Sequence, residues 1–333
     1  MRSNTPRFYL LDFSRGLAAF GIVIFHLAGN SKPLNALYIF VDFFFALSGF
    51  VLFDQIPKTY QISDMKKFMQ KRINRLVPTA WFAVITSYLA YLIFLVLDLL
   101  EPEEKLDINE LTLVFALLFL QFIVPSSAVL LIPMWSLSVE MFMNLLFAFI
   151  GVTWYRIALI VSIAFTSLSL AVITSTAVNV TSGWIAFSRG VFGFSCGLIA
   201  RILYNKKISN SRVQIVVSSI IVGVIFSLVT STHYFLVLVA PSMSFLIYAI
   251  SGTIVQNAYF KNFCTKCGNF SYGVYLWHFP VNYFVRVLLP TTDSSDKNFL
   301  LKIVELAATI SVSLALTWIG LTLFKRIALF KIN

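Results

Sequence analysis

The chain has 333 residues, of which 59% are apolar and only 12% charged. A soluble domain runs at roughly 45–50% apolar and about 25% charged. Its interior cannot hide this much apolar surface, so a soluble enzyme is excluded, and the mean hydropathy of +0.87 agrees. With 34 Phe the chain is not disordered, because disordered segments are poor in aromatic residues. The apolar runs continue for about 20 residues and do not alternate as barrel strands do. The fold class these features define is all-α: a polytopic integral membrane protein with about ten transmembrane helices plus one short re-entrant or interfacial segment. A net charge of +11 then reflects membrane topology and not nucleic acid, since Lys and Arg gather on the cytoplasmic side of a bilayer.

The first run, about Tyr9–Gly29, is too long for a signal-peptide core and carries Asp12 and Arg15, so it reads as a retained helix. A second run covers about Ala36–Phe53. A basic loop follows, with Lys58, Lys66, Lys67, Lys71, Arg72 and Arg75. The third run, about Thr79–Leu100, ends in the acidic residues Glu101, Glu103, Glu104, Asp107 and Glu110. Basic and then acidic flanks place the N-terminus in the cytoplasm. Leu111–Val124 is closed by Pro125. Its length of about 14 residues cannot cross ~30 Å of hydrocarbon at 1.5 Å per residue. It is expected to enter from the outer face and return to it by Pro133, beside Glu140.

Further spans are expected at Met134–Ile150, Ile157–Ser175, Trp184–Tyr204, Val213–Thr230, Tyr234–Gln256, Phe270–Leu289 and Phe299–Phe324. Arg156, Arg201, Lys206, Lys207, Arg212, Lys261, Lys266, Lys325, Arg326 and Lys331 then fall on inner loops, while Asp293 and Asp296 fall outside. Both termini are cytoplasmic in this scheme. Residues 1–333 read as one integral membrane domain with no appended soluble domain. Cys264 and Cys267 form a Cys-x-x-Cys, but the second pair or the histidines of a zinc site are missing from the sequence. No metal is expected.

A charge inside a span costs about 3 kcal/mol at mid-depth, so each one is a functional candidate. Counting depth along the helices gives two groups. The outer one holds His26, Asp42, Glu140 and Arg189. The inner one holds Arg15, Arg72 and Arg75, and His278 lies nearer the middle. Arginine clusters suit phosphates, whose oxygens match the guanidinium fork. A histidine beside a carboxylate suits general base work. Blander readings stand beside these. His26 is also read as a core histidine bonded across helices, Asp42 and Glu140 as satisfied structural groups, and Arg72 and Arg75 as topology determinants. Arg286 and Glu305 read as a mutual ion pair or as snorkelling groups. Asp12 reads as a tether for Arg15, and Phe43–Phe45 as lipid-facing or core packing.

Five blocks in this order carry a family resemblance. Leu11-Asp12-Phe13-Ser14-Arg15-Gly16 is followed by His26, an Arg and a His separated by ten residues. Val41-Asp42-Phe43-Phe44-Phe45-Ala46-Leu47-Ser48-Gly49-Phe50 comes next, then Arg72-Ile73-Asn74-Arg75-Leu76-Val77-Pro78. Trp135-Ser136-Leu137-Ser138-Val139-Glu140 and Phe270-Ser271-Tyr272-Gly273-Val274-Tyr275-Leu276-Trp277-His278 complete the set. A weaker central block is Ser188-Arg189-Gly190 with Gly193 and Gly197. Together they resemble the acyltransferase-3 family of integral membrane acyltransferases. The resemblance covers nearly the whole chain.

The resemblance implies a ten-helix enzyme that moves an acyl group, most often acetyl, from cytoplasmic acyl-coenzyme A to a hydroxyl of an extracytoplasmic carbohydrate. A surface polysaccharide or its lipid-linked precursor is the implied acceptor. Acetyl-coenzyme A is thus the expected donor substrate, and polysaccharide-assembly proteins are candidate partners in the inner, cytoplasmic membrane. On this reading Arg72, Arg75 and Arg15 hold the phosphates of coenzyme A, while Tyr272, Tyr275 and His278 line the donor channel. His26 takes the acceptor's proton or carries the acyl group, and Glu140 or Asp42 orients it. Glu140 is preferred because Ser136 and Ser138 nearby would line an acceptor pocket, to which Arg189 also contributes. A transporter or exporter of small anions or acylated sugars is the rival from another class, and an inactive structural subunit is a second. The Arg-x-x-Arg-x-x-Pro block beside an outward histidine favours the enzyme.

Overall fold

The computed structural model describes residues 7–27, 32–55, 62–100, 105–106, 108–123, 131–150, 183–205, 212–231, 236–289 and 299–324. Helix α1 (Tyr9–Leu27) is followed by a short α2 (Lys32–Asn35), a tight turn at Ala36–Ile39 and α3 (Phe40–Leu52), which ends in a turn at Phe53–Gln55. Next come α4 (Ile62–Val96), α5 (Glu110–Leu117) and α6 (Met134–Ile150). The rest are α7 (Gly183–Asn205), α8 (Arg212–Ser231), α9 (Leu236–Ser251), α10 (Ala258–Leu288) and α11 (Phe299–Phe324). Among the described residues there is no strand. The expected span Ile157–Ser175 lies outside the described residues, as does much of the loop charge at 56–61, 101–104, 206–211, 290–298 and 325–333.

Six segments among the described residues are long and apolar enough to cross a membrane: Tyr9–Leu27, Ala36–Gln55, Ile62–Val96, Ala186–Asn205, Arg212–Val229 and Leu301–Phe324. Their outer faces suit lipid. On α8, Val213 is 67% exposed and Ile220 59%, with Val216 and Val224 on the same side. An apolar stripe of this length is stable against hydrocarbon and not against water.

Two basic stretches depart from the expectation. Lys66, Lys67, Lys71, Arg72 and Arg75 are not in a loop but in the first half of α4, which runs for 35 residues. Lys, Arg, Gln and Met are strong helix formers, and Phe68, Arg72 and Leu76 form a buried i, i+4, i+8 stripe there. Low hydropathy hid this helical period. Likewise α10 begins at Ala258 and not near Phe270, so Lys261 and Lys266 are helical. The Asn257 side chain caps it, accepting from Phe260 N at 3.0 Å. Phe43 and Phe45 face the core, each buried.

Within the expected Leu111–Val124 segment, the described residues 111–123 hold only a short helix and a turn. Asn109 and Thr112 form a reciprocal capping box for α5, whose eight residues reach only about 12 Å. Phe119, at φ 59, turns the chain away. The buried Gln121 then docks on the start of α6: its Nε2 donates to the Leu131 carbonyl at 2.7 Å and its backbone N–H to Ser138 Oγ at 3.3 Å.

Two parallel helix pairs position the site. Helix α1 lies along α10, and α3 along α7. The second pair meets backbone to backbone. A Cβ on Gly49 would stand 2.0 Å from the Phe194 carbonyl oxygen, and one on Gly197 would stand 1.8 Å from that of Ala46. Small residues of this kind let membrane helices approach closely. The resulting register sets Asp42 against Arg189 and Asp54 against Arg201.

Candidate active site

His26, near the end of α1, meets His278 of α10: His26 Nδ1 and His278 Nε2 are 3.2 Å apart. Two backbone carbonyls fix the tautomers. His26 Nδ1 lies 3.1 Å from the Ile22 carbonyl, and His278 Nδ1 lies 3.3 Å from that of Val274. A carbonyl only accepts, so both Nδ1 atoms carry hydrogen. His26 Nδ1–H is then shared between Ile22 O and the lone pair of His278 Nε2. The unprotonated nitrogen of His26 is Nε2. Arg286 joins this arrangement from above His278: it is ion-paired to Glu305 of α11, and its Nη2 donates to the His26 carbonyl at 3.4 Å.

His26 lines a chamber of about 50 Å³ with Tyr38, Pro133, Trp135, Arg189 and Tyr275. Arg189 is clamped there by Asp42, from Nε to Oδ1 at 2.9 Å and from Nη2 to Oδ2 at 2.6 Å. Its guanidinium also sits 5.2 Å from the Tyr38 ring. Asp42 is 4% exposed, and this two-pronged bond compensates its burial.

A second chamber, of about 80 Å³, is lined by Arg15, Arg72, Arg75, Glu140, Tyr272 and Ser136, among others. Arg72 Nη2 donates to Gln55 Oε1, while Arg15 Nε and Arg72 Nε are buried without a partner among the described residues. Glu140 accepts from Ser48 Oγ at 2.9 Å. The Tyr272 hydroxyl donates to the Leu76 carbonyl at 2.8 Å, two residues before Pro78.

Arg15, Arg75 and Tyr272 also line a third, larger space of about 650 Å³ at the end of the bundle that holds Tyr9 and Gln55. This vestibule, the arginine chamber and the histidine chamber follow one another along the bundle. Tyr275 is the residue common to the linings of the two chambers. Its hydroxyl lies 2.5 Å from Ser136 Oγ, and Ser136 Oγ donates to the Pro133 carbonyl at 3.0 Å.

Depth counted from the sequence groups Glu140 with His26, but the structure does not. Glu140 belongs to the arginine chamber, and Asp42 bonds Arg189, so neither carboxylate holds the His26 ring. His278 does, and it stands beside His26 and not in the arginine-lined space. Ser138 is fully buried, bonded to Met134 O and Gln121 N, and lines neither chamber. Asp12 makes its ion pair with Arg7 at 2.7 Å, and its charge also attracts the buried Arg15 guanidinium. Among the described residues no group of three His, Cys, Asp or Glu side chains is placed to hold a metal ion.

The fold and these chambers define a multi-pass helical membrane protein with buried, charge-lined chambers between its helices. The chain belongs to the acyltransferase-3 family, whose acyltransferase domain matches residues 8–322. It is similar to the O-acetyltransferase OatA of Staphylococcus aureus (strain NCTC 8325 / PS 47), 33% identical over 87 residues, or 25% of this chain and 14% of OatA. It is also similar to protein 2 in the picA locus of Rhizobium radiobacter, 34% identical over 161 residues, or 44% of this chain and 84% of that protein. The matched stretch is thus 14% of the length of OatA. No solved structure matches the chain.

Proposed function

We propose that this protein transfers an acyl group, acetyl first among them, from acyl-coenzyme A to a hydroxyl of an extracytoplasmic carbohydrate. The single observation that carries this reading is the series of spaces along the bundle, which runs from an arginine-lined vestibule to His26. The similarity to an O-acetyltransferase supports it. The vestibule end faces the cytoplasm in this account, because Arg7, Lys66, Lys67, Lys71, Arg75, Lys261 and Lys266 all lie towards it. Both termini are then cytoplasmic and the protein resides in the inner membrane. The histidine chamber then lies towards the acceptor side. Its small volume favours a short acyl group.

In the mechanism, Arg15, Arg72 and Arg75 hold the donor's phosphates. The pantetheine arm runs through the arginine chamber, past Tyr272, and brings the thioester to Tyr275. His26 Nε2 removes the acceptor's hydroxyl proton as the oxygen attacks the thioester carbonyl carbon. The tetrahedral oxyanion collapses, the carbon–sulfur bond breaks, and the thiolate takes the proton from His26. His278 keeps the His26 ring in the productive tautomer, which makes it a positioning residue. Arg189, fixed by Asp42, supplies positive charge at the wall where the oxyanion develops. Glu140 offsets part of the charge of the three arginines and does not act on His26. The exporter reading has no comparable support from the family.

Purified protein supplied with acetyl-coenzyme A and a carbohydrate acceptor tests the proposal. Acceptor-dependent release of free thiol is expected. Absence of thioester turnover with every short acyl-coenzyme A would overturn it.

A further inference from the structure

Arg201, on the last turns of α7, has no place in the scheme above. It is 5% exposed, yet it lines the vestibule. Its guanidinium carbon lies 5.0 Å from the ring centroids of Phe8, Phe50 and Tyr204 alike. Nη2 donates to Asp54 Oδ2, and Asp54 Oδ1 accepts from Asn205 at 3.3 Å. Nε and Nη1 have no partner among the described residues. A guanidinium carries five N–H donors in a planar fork, and buried donors left unmet are costly. Packing therefore holds this cation in place without satisfying it.

Two other arginines show what is distinctive here. Arg189 uses two donors on both oxygens of Asp42, a closed pair. Arg7 pairs with Asp12, but its side chain is 47% exposed and free to swing. Among these three, Arg201 alone combines a fixed position, unmet donors and a place on the vestibule wall.

We infer that Arg201, with Asp54 as a displaceable counter-ion, forms the subsite for the 3′-phosphate of the donor coenzyme A. This rests on the donor reading given above. Arg15 and Arg75 line both the vestibule and the arginine chamber, so they stand where the pyrophosphate must lie if the pantetheine arm points inward. The adenosine half then fills the vestibule. At about 650 Å³ that space is of the size that ordinarily takes one small ligand, roughly 300–1,000 Å³. A phosphate on the ribose of the same nucleotide reaches its wall. A phosphate monoester carries about −1.5 to −2 charges at neutral pH and three acceptor oxygens, more than one carboxylate offers. Asp54 lies just past α3, on the turn Phe53–Gln55, and its side chain is 26% exposed. It can turn aside, whereas Arg201 cannot. Phe8 lines the same wall, packed against Arg201.

The test compares coenzyme A with 3′-dephospho-coenzyme A as ligands of the full chain in lipid nanodiscs, by calorimetry. Wild type should bind coenzyme A at least tenfold more tightly. Arg201→Gln should remove that preference while leaving the affinity for 3′-dephospho-coenzyme A within about twofold. Asp54→Asn leaves Arg201 in place and removes its competitor, so the preference should widen. Equal affinities in wild type overturn the inference, as does an Arg201→Gln protein that keeps the preference. If Arg201→Gln does not fold, an unchanged ratio in Asp54→Asn overturns it by itself. Binding of neither ligand by wild type would defeat the donor reading as well. Tight coenzyme A binding without discrimination defeats only the 3′-phosphate subsite.

Discussion

His26 and His278 are 252 positions apart in the chain, and their rings share one hydrogen bond of 3.2 Å. Since both Nδ1 atoms are committed to backbone carbonyls, the bond runs from His26 to His278. His26→Ala should lower acyl transfer by about 100-fold or more, the usual worth of a general base. His278→Ala leaves the base but frees its ring. It should lower kcat by roughly tenfold or more with little change in donor KM. His278→Gln, which retains an acceptor, should recover part of the loss. Steady-state kinetics on the purified variants distinguish this from a packing defect, which would not respond to Gln.

The arginine chamber predicts a donor-specific defect. Arg72→Ala and Arg75→Ala each remove a charge-assisted contact worth about 1.5–3 kcal/mol, so the donor Kd should rise about tenfold or more. Lys at either position should rescue only partly, because it lacks the fork. Arg72 is the more demanding site, being buried and bonded to Gln55. Unchanged donor affinity in both Ala variants would leave these residues as topology determinants only.

Tyr275 separates the two chambers. Tyr275→Phe keeps the ring and loses the bond to Ser136, so transfer should fall by roughly tenfold, the worth of about one hydrogen bond. Tyr275→Ala opens the partition. Acceptor-independent thioester hydrolysis should then rise even as transfer falls. Free thiol measured with and without acceptor reads both effects.

Gly197 predicts a stability effect. A Cβ there would stand 1.8 Å from the Ala46 carbonyl oxygen, and backbone cannot give way cheaply. Gly197→Ala should destabilise by about 1–3 kcal/mol or more as α3 and α7 are forced apart. A clearly lower melting temperature in detergent is expected. Gly223→Ala, with nothing within 4 Å of the added atom, is the control and should be neutral or stabilising.

Much of this was legible in the sequence, and the failures share a cause. Apolar run length located α1, α6 and α11 closely, since their bounds are set by where hydrophobicity starts and stops. It missed the beginnings of α4 and α10, where basic and polar residues continue the helix beyond the apolar zone. Depth follows from counting residues at 1.5 Å each. Which neighbour a residue faces at that depth depends on helix rotation and packing. Asp42 and Glu140 count to similar depth, yet one turns to Arg189 and the other to the arginine chamber. The Arg286–Glu305 pair was legible because both lie near the ends of consecutive helices. The His26–His278 bond was not, because it depends on α1 lying parallel to α10, a pairing no local pattern encodes.

The most direct test uses sealed inside-out membrane vesicles, with radiolabelled acetyl-coenzyme A added outside and label counted on the carbohydrate enclosed within. Wild type should label that carbohydrate across the bilayer, and equally abundant His26→Ala should not. Labelling by His26→Ala at the wild-type rate would contradict this mechanism. So would labelling that requires donor and carbohydrate on the same side.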